Sequence, residues 1–281
     1  MDIFEETSGS AEWKIFDPRD PSSASPGTEL LDSTVYKRGD QWWMFLAGQP
    51  GGHGPTDIFS ASLPHRAPLS AVGWQPTADP DGQLVPVAPR SNSSPWDGKG
   101  GRHCPSYVAG LDPESGEIVE RIYYAGASEN MWGPYAIGFL QWDGNSWVDR
   151  SKPAFAANEE WEHGSVYEPN LIYHDGKWKM WYVAGSNAED YLVHGYSESA
   201  DGLSGWSKHI VFATPEMKMF DFHVRRHGDS FHAVFARVWL RDSAPPPDTG
   251  LWWCAADTPS ARLVDWVQPV QIMNAENRGW H

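Results

Sequence analysis

Short runs of aromatic and β-branched residues, separated by Gly, Pro, Asp and Ser, recur along this chain. Such runs are typical of β-strands joined by turns. No long segment places apolar residues at i, i+3, i+4 and i+7, which is the spacing of an amphipathic helix. The pattern therefore predicts an all-β protein.

The predicted strands follow a plan that repeats four times. Each repeat has a strand, a polar turn, a second strand rich in aromatic residues, a third strand and a short fourth strand with a Trp. The turns RGDQ (38–41), ESGE (114–117), HDGK (174–177) and HGDS (227–230) suit hairpins, where Gly or Asp accepts positive φ. Four strands per repeat, at roughly 50–75 residues, are typical of a β-propeller blade. We expect one propeller domain over residues 1–281, with modules near 31–80, 103–152, 163–212 and 219–270.

A segment near 12–17 resembles the fourth strand of a further blade, with Trp13 in the Trp position. Propellers commonly close by pairing a strand from one terminus with the last blade. We therefore expect a five-bladed propeller of four-stranded antiparallel blades, whose fifth blade lacks its first three strands in this sequence. A four-bladed ring is the alternative, and it leaves the strand at Trp13 without a place.

Charge and hydropathy narrow the possible partners. The formal net charge of −16 repels phosphate backbones, so we expect no nucleic-acid partner. No apolar run approaches the ~18 residues that span a bilayer, and the N-terminus lacks the pattern of a secretory signal. We expect a cytoplasmic protein without a membrane partner; its oligomeric state is left open. The two cysteines could form at most one disulfide.

Three acidic residues fall at one position of the repeat. When the modules are aligned on the aromatic residues of their second strands, Asp32, Glu168 and Asp221 coincide at the start of the innermost strand. The second module has Cys104 there. This position of a propeller faces the central channel, so the side chains should converge. Clustered acids raise one another's pKa, as a general acid at neutral pH requires; each acid could also serve only as a turn residue.

These residues, together with the segment YEPNLIYHDGKWKMWYVAGS (167–186), resemble the five-bladed glycoside hydrolases of families 32, 43, 68 and 130, the arabinanase-, levansucrase- and invertase-like enzymes. The resemblance implies that Asp32 is the base or nucleophile and Glu168 the general acid. It implies that Asp221 is a further axial carboxylate, which binds substrate or adjusts the pKa of the acid. It also allows an axial calcium, but no tight His spacing supports a transition-metal site, so we expect no metal and no cofactor.

The second module departs from the invertase-like pattern. Those families carry Arg-Asp-Pro, whereas this chain has Arg102-His103-Cys104-Pro105. A cysteine does not supply the missing charge unless it is ionised, and as a small buried residue it needs no role in catalysis. Further candidates for substrate binding are histidines near the axis and aromatic residues able to stack on a sugar: His103, His163, His223, Trp42, Trp132 and Trp161. For most of the Trp residues, packing between blades is the alternative.

Three functions remain open at this point. The first is a glycoside-hydrolase-like enzyme that acts on a glycoside or a small glycosylated molecule by carboxylate acid/base catalysis. The second is a non-hydrolytic tailoring enzyme, a cyclase or isomerase of small-molecule biosynthesis, which uses His103, Glu168, Asp221 and His223 for proton transfer. The third is a propeller that binds sugar without catalysis. All three predict a small-molecule or carbohydrate ligand in an axial pocket.

Overall fold

A computed structural model of the 281-residue chain describes residues 29–49, 54–67, 73–150, 152–186, 191–207, 209–237 and 247–274. These residues form four antiparallel four-stranded sheets, arranged as the blades of a propeller ring. In the described part of the chain, the only helical segments are short 3-10 turns. None of the helices described there has the length and hydropathy needed to cross a membrane. The predicted all-β propeller is confirmed.

Each blade runs from the axis outward in chain order. Blade 1 consists of β1 (Glu29–Arg38), β2 (Gln41–Gln49), β3 (Asp57–Pro64) and β4 (Gln75–Pro76), and blade 2 of β5 (Gly101–Leu111), β6 (Ile118–Asn130), β7 (Gly133–Trp142) and β8 (Trp147–Asp149). Blade 3 consists of β9 (Val166–His174), β10 (Lys177–Ser186), β11 (Tyr191–Ser199) and β12 (Ile210–Ala213), and blade 4 of β13 (Met219–His227), β14 (Ser230–Arg237), β15 (Gly250–Ala256) and β16 (Val270–Asn274). The innermost strands β1, β5, β9 and β13 contact one another in succession.

The first hairpin of a blade is closed by the turn that the sequence predicts. Between β9 and β10, Asp175 has φ 51° and Gly176 has φ 72°, so both central residues take the positive φ of a type I′ turn. Gly39 and Gly228 take φ 62° and 60° in the equivalent turns of blades 1 and 4. These tight turns fix the register of the two inner strands, and therefore the height of each residue along the axis.

The fourth strands differ from the prediction, since only Trp147 lies within one. Trp74 directly precedes β4, and Trp206 and Trp266 precede β12 and β16. Trp266 is 4% exposed and packs edge-on against Trp181, with ring centroids 6.1 Å apart. Because such an indole fills the space between two blades, the chain begins to pair with the third strand only at residues that follow the Trp. The prediction of Trp-bearing fourth strands is therefore wrong for three of the four blades.

The start of β5 is anchored by a buried ion cluster. Arg102 is fully buried, and its Nε and Nη2 donate to Asp97 Oδ2 at 2.8 Å and to Asp149 Oδ2 at 2.5 Å. Removing one partner of such a cluster leaves a buried charge uncompensated, at a cost of about 3–5 kcal/mol. Arg102 thus ties the loop before β5 and the strand β8 to the position that carries Cys104.

The fifth blade is not confirmed, because four blades account for the described residues. The strand predicted near 12–17, with Trp13, lies outside the described residues, as does the segment from 275 to 281.

Candidate active site

Four residues, one from each blade, occupy the same irregular position on the innermost strands. The regular pairing of each inner strand shifts at this point, as between Leu31 and Ser33 of β1. The residue at the shift has positive φ in every blade: 35° for Asp32, 53° for Cys104, 49° for Glu168 and 58° for Asp221. Positive φ is uncommon for a residue other than Gly and costs about 1–3 kcal/mol. Its repetition in four blades turns each of these side chains out of the regular strand pattern.

The four side chains of this set, called here the axial ring (Asp32, Cys104, Glu168 and Asp221), come together. One atom each of Asp32, Cys104 and Glu168 lies within 4.8 Å of the other two. The Cys104 thiol donates to Asp32 Oδ2 at 3.3 Å. Glu168 and Asp221 are hydrogen-bonded to each other. Of the axial ring, Cys104 is buried, Glu168 and Asp221 are half-buried, and Asp32 is exposed, so solvent reaches the ring on the side of Asp32.

The carboxyl groups of the axial ring differ in their affinity for protons. Burial, and then the charges of Asp221 and Asp32, raise the pKa of Glu168 well above its ordinary value. Desolvation by the surrounding blades and the charge of Asp221 also raise the pKa of Asp32. Burial acts in the same direction on Asp221, but the hydrogen bond and charge of His223, with the hydrogen bond to Glu168, outweigh it and lower the pKa of Asp221. Glu168 therefore holds the proton that it shares with Asp221.

A second polar layer lies two residues further along the same strands, and the sequence interpretation selected only His223 from it. This support layer consists of Thr34, Ser106, Asn170 and His223. The first three are 2%, 0% and 2% exposed. The alignment that superimposes the acids would have revealed the layer, because reading two residues past each member of the axial ring gives a polar residue every time.

The support layer joins neighbouring blades. The backbone N–H of Leu171 in blade 3 donates to Ser106 Oγ of blade 2 at 3.1 Å. The backbone N–H of Val224 in blade 4 donates to Asn170 Oδ1 of blade 3 at 2.7 Å. These bonds join groups that are buried, where a lost partner costs more than at the surface. They hold the inner strands in register, so the residues of the axial ring keep their relative heights.

Blades 4 and 1 are joined by a side chain instead. Arg225 Nη2 donates to Thr34 Oγ1 at 2.9 Å, and Nη1 donates to Val224 O at 2.8 Å. Burial lowers the pKa of Arg225. The guanidinium of Arg225 thus takes the place of the backbone N–H that donates across blades 2 and 3 and across blades 3 and 4.

The candidate histidines have different surroundings. His223 Nε2 lies 3.4 Å from Asp221 Oδ1, and its Nδ1 lies 3.1 Å from Asn170 Nδ2, so His223 belongs beside the carboxyls. His103 is 5% exposed, and its Nε2 is hydrogen-bonded to Thr56 Oγ1 at 2.9 Å and to Gly100 O at 3.2 Å. Burial lowers the pKa of His103 to about 4.

His163 follows a 3-10 turn, Glu160–Glu162, that leads into β9. It is exposed and has φ 49°.

The three candidate Trp residues lie in three different places. Trp132 is 72% exposed at the tip of the β6–β7 hairpin. Because Gly101, at the start of β5, pairs with Ala127, this tip lies at the same end of blade 2 as Cys104.

The other two candidates lie away from this tip. Trp42 pairs with Lys37, at the end of β1 opposite to Asp32. Trp161 packs against Tyr182, with ring centroids 6.2 Å apart.

Two tyrosines that the sequence interpretation did not select border the axial ring. Tyr135 and Tyr167 have ring centroids 5.1 Å apart. Burial raises the pKa of both phenols, and Glu168 and Cys104 raise each of them further. Tyr167 directly precedes Glu168 in the segment YEPN, and this position could have identified it as a neighbour of the site. The two phenols form an aromatic wall between blades 2 and 3.

Asp32, Cys104 and Glu168 are the one group in the described part of the chain with a spacing that could hold a metal ion. The set offers two carboxylate oxygens and one sulfur. Calcium is bound by oxygen ligands, so Cys104 does not suit it. A metal bound by sulfur requires the thiolate, and burial together with Asp32 and Glu168 raises the pKa of Cys104 well above its ordinary value.

Comparisons with known proteins match the fold. No family model matches the chain, and no curated protein matches it. An endo-arabinanase of family 43 from Bacillus licheniformis is 14% identical, with a TM-score of 0.55 over 89% of this chain and 79% of its own. A levansucrase from B. subtilis is 11% identical, with a TM-score of 0.56 over 92% and 76%. A structure described as a complex of BT0996 and RGII is 18% identical, with a TM-score of 0.58 over 86% and 73%.

At these identities, the likeness shows the fold. The chain shares the β-propeller of the family 43, family 117 and levansucrase structures, and the resemblance inferred from the sequence is confirmed at that level.

Proposed function

We propose that this protein is a glycoside hydrolase that cleaves its substrate at the axial ring, with Glu168 as the general acid and Asp32 as the nucleophile. The observation that carries the proposal is the pair of carboxyl groups from blades 1 and 3. Their oxygens lie within 4.8 Å of each other, and both groups border a site that solvent reaches. Glycosidic cleavage needs a proton donor to the leaving oxygen and a second carboxylate near the sugar ring.

The separation of the two carboxyl groups favours retention of configuration. Inverting enzymes keep their carboxyl groups about 6.5–9.5 Å apart to admit a water molecule, whereas retaining enzymes place them about 5–5.5 Å apart. One oxygen of Asp32 and one of Glu168 lie within 4.8 Å of each other, which is nearer to the retaining separation than to the inverting one. We therefore assign Asp32 to attack the anomeric carbon, although the sequence left base and nucleophile open.

The protonation states suit these roles. Glu168 carries a proton because burial and two neighbouring carboxylates raise its pKa. It donates that proton to the leaving oxygen while Asp32 forms the glycosyl-enzyme bond. Glu168, now ionised, then removes a proton from the water that hydrolyses this bond. Asp221 accepts the hydrogen bond of Glu168 and aims its proton until substrate arrives.

The solved structures of similar fold support a carbohydrate ligand. They include glycoside hydrolases and a complex described with RGII. Fold alone does not determine activity, so the proposal depends on the carboxyl pair.

A cyclase or isomerase is the second candidate. Cys104 in place of a carboxylate, and the aromatic wall of Tyr135 and Tyr167 beside Glu168, favour it. The same Glu168 would then transfer a proton to or from a substrate that packs on the two phenols. Loss of every activity in Glu168→Gln would not separate this candidate from the first, so the test must follow the glycosidic bond.

The test compares wild type with Glu168→Gln on a panel of aryl glycosides. A general acid contributes about 10²–10⁴-fold, so the variant should lose that factor on alkyl or phenyl glycosides. Its kcat/KM, which reports only the first step, should stay near the wild-type value on dinitrophenyl glycosides, whose leaving group needs no proton. Glu114→Gln is the matched control, because Glu114 is exposed in the β5–β6 turn. Equal losses on both substrate types would contradict the role of Glu168.

The nucleophile is tested by trapping. An activated 2-fluoroglycoside should add one glycosyl unit to the peptide that contains Asp32, as measured by mass spectrometry, and proton NMR should show a first product of retained configuration. An inverted product would overturn the assignment of Asp32. A folded wild type that cleaves no glycoside would reject hydrolysis and leave the cyclase or isomerase.

A further inference from the structure

Cys104 is the member of the axial ring that glycosidic cleavage, as described above, does not use. It is 8% exposed, and its Sγ lies among the oxygens of Asp32 and Glu168. The thiol donates to Asp32 Oδ2 at 3.3 Å, and its sulfur also lies within 4.8 Å of a Glu168 carboxyl oxygen. Blade 2 thus supplies an uncharged group at the position where the other three blades supply carboxyl groups.

We propose that Cys104 is a positioning residue, whose neutral thiol bridges Asp32 and Glu168 and holds the nucleophile and the acid apart in the geometry for retaining cleavage. This inference rests on the proposed function of the two carboxyl groups.

The chemistry of the thiol explains why a neutral bridge suits this place. A thiol has a single hydrogen, which here donates to Asp32, and the sulfur lies beside Glu168, whose own proton is directed to Asp221. Donation to an ionised carboxylate stabilises the charged form, which is the form that a nucleophile needs. A carboxylate at position 104 would instead repel Asp32 and Glu168 across less than 5 Å. The donation from Cys104 therefore opposes the rise in the pKa of Asp32 that burial and Asp221 cause, without adding charge.

The backbone supports a fixed thiol. Cys104 has φ 53°, and the neighbouring Arg102 is tied to Asp97 and Asp149. Tyr135 also lies close enough to Cys104 to interact with it. The sulfur is therefore confined between two carboxyl groups of different blades.

The experiment measures the carboxyl pKa values directly, without turnover. Carboxyl carbons of Asp32 and Glu168 are followed by carbon-13 NMR titration and assigned with Asp32→Asn and Glu168→Gln. In Cys104→Ala, loss of the S–H donor should raise the pKa of Asp32 by about 0.5–1 unit. In Cys104→Ser, which keeps a hydrogen-bond donor, the pKa of Asp32 should lie within about 0.3 unit of the wild-type value. Cys254→Ala removes the other buried cysteine and should leave both carboxyl groups unchanged.

The kinetic arm adds a readout that a merely structural role would not move. In Cys104→Ala, the acidic limb of the kcat/KM profile should move to higher pH by the same amount as the pKa of Asp32 measured by NMR. In Cys104→Ser, it should lie again at the wild-type pH. An unchanged pKa of Asp32 in folded Cys104→Ala would overturn the proposal, whatever the rate. Should Cys104→Ala not fold, Cys104→Ser is compared with Cys104→Val, and equal pKa values in these two variants would likewise overturn it. A shifted pKa in a protein that cleaves no glycoside would reject the hydrolase and leave the bridging role intact.

Discussion

Glu168 and Asp221 share a hydrogen bond between blades 3 and 4, although each begins the innermost strand of its own sheet. Two carboxyl groups so placed titrate as a pair, and the proton stays on one of them. His223 determines which of the two carboxyl groups carries the proton, because its hydrogen bond to Asp221 and its charge favour the ionised form of Asp221. The pKa of the proposed acid is therefore set by blade 4, whereas the proposed nucleophile belongs to blade 1.

Asp221→Asn should lower the pKa of Glu168, because it removes the larger of the two neighbouring charges that raise it. The basic limb of the kcat/KM profile, which reports loss of the proton from Glu168, should move down by about 1 unit or more. The acidic limb should also move down, since Asp221 raises the pKa of Asp32. Asp229→Asn, in the exposed β13–β14 turn, is the control. A profile identical to wild type would show that Asp221 does not tune the acid.

Glu168 should also make stability depend on pH. Its pKa in the folded protein is raised above the ordinary 4.5, so between these two values the folded state binds more protons than the unfolded state. Stability then falls as pH rises through this window. Glu168→Gln removes the dependence and should raise Tm at neutral pH by roughly 2–4 °C, which corresponds to about 1 kcal/mol in a protein of this size. Thermal unfolding from pH 4 to pH 8 measures this, and parallel curves for the two proteins would contradict it.

The sequence predicted the blades and the common position of Asp32, Glu168 and Asp221, because strand periodicity and repeated hairpin turns are local signals. It did not predict the positive φ of these residues. The segments LDS, HCP, YEP and FDF share no turn signature. The backbone shift is defined by the pairing of each inner strand with the second strand of its blade, and pairing of strands is not a local signal.

The relative placement of other candidate residues also depends on strand pairing, which the sequence does not show. Trp42 and Trp132 are both aromatic residues near strand ends, but they belong to opposite ends of their blades, which only the pairing of strands determines. His103 lies next to Cys104 in sequence, but its ring is hydrogen-bonded to Thr56 and Gly100, because successive residues of a strand point to opposite faces. Sequence proximity to a site residue is thus a poor guide within a strand.

The unusual backbone of the axial ring gives a stability prediction at Asp32, where Ala and Gly both remove the carboxyl group and differ only in the Cβ atom. With φ of 35°, Ala at this position would suffer the Cβ clash of the left-handed region, whereas Gly would not. Asp32→Gly should therefore be more stable than Asp32→Ala by about 1 kcal/mol. The variants Asp40→Gly and Asp40→Ala, in the exposed β1–β2 turn, are the control for the intrinsic difference between Gly and Ala. Denaturant unfolding gives both differences, and a more stable Ala variant at position 32 would show that the backbone relaxes there.

Trp132 should bind the part of the substrate that extends beyond the cleaved bond. It is 72% exposed, at the end of blade 2 that carries Cys104, and an exposed indole offers a flat apolar surface to a sugar ring. In Trp132→Ala, KM for an oligosaccharide should rise about 3–10-fold, while kcat and the KM for a simple aryl glycoside stay unchanged. Trp132→Phe should keep most of the affinity. Val264→Ala, 76% exposed within the short 3-10 turn Leu263–Asp265 of blade 4, is the control. An equal rise in KM for both substrates would place Trp132 at the cleaved sugar itself, and no rise would remove it from the binding site.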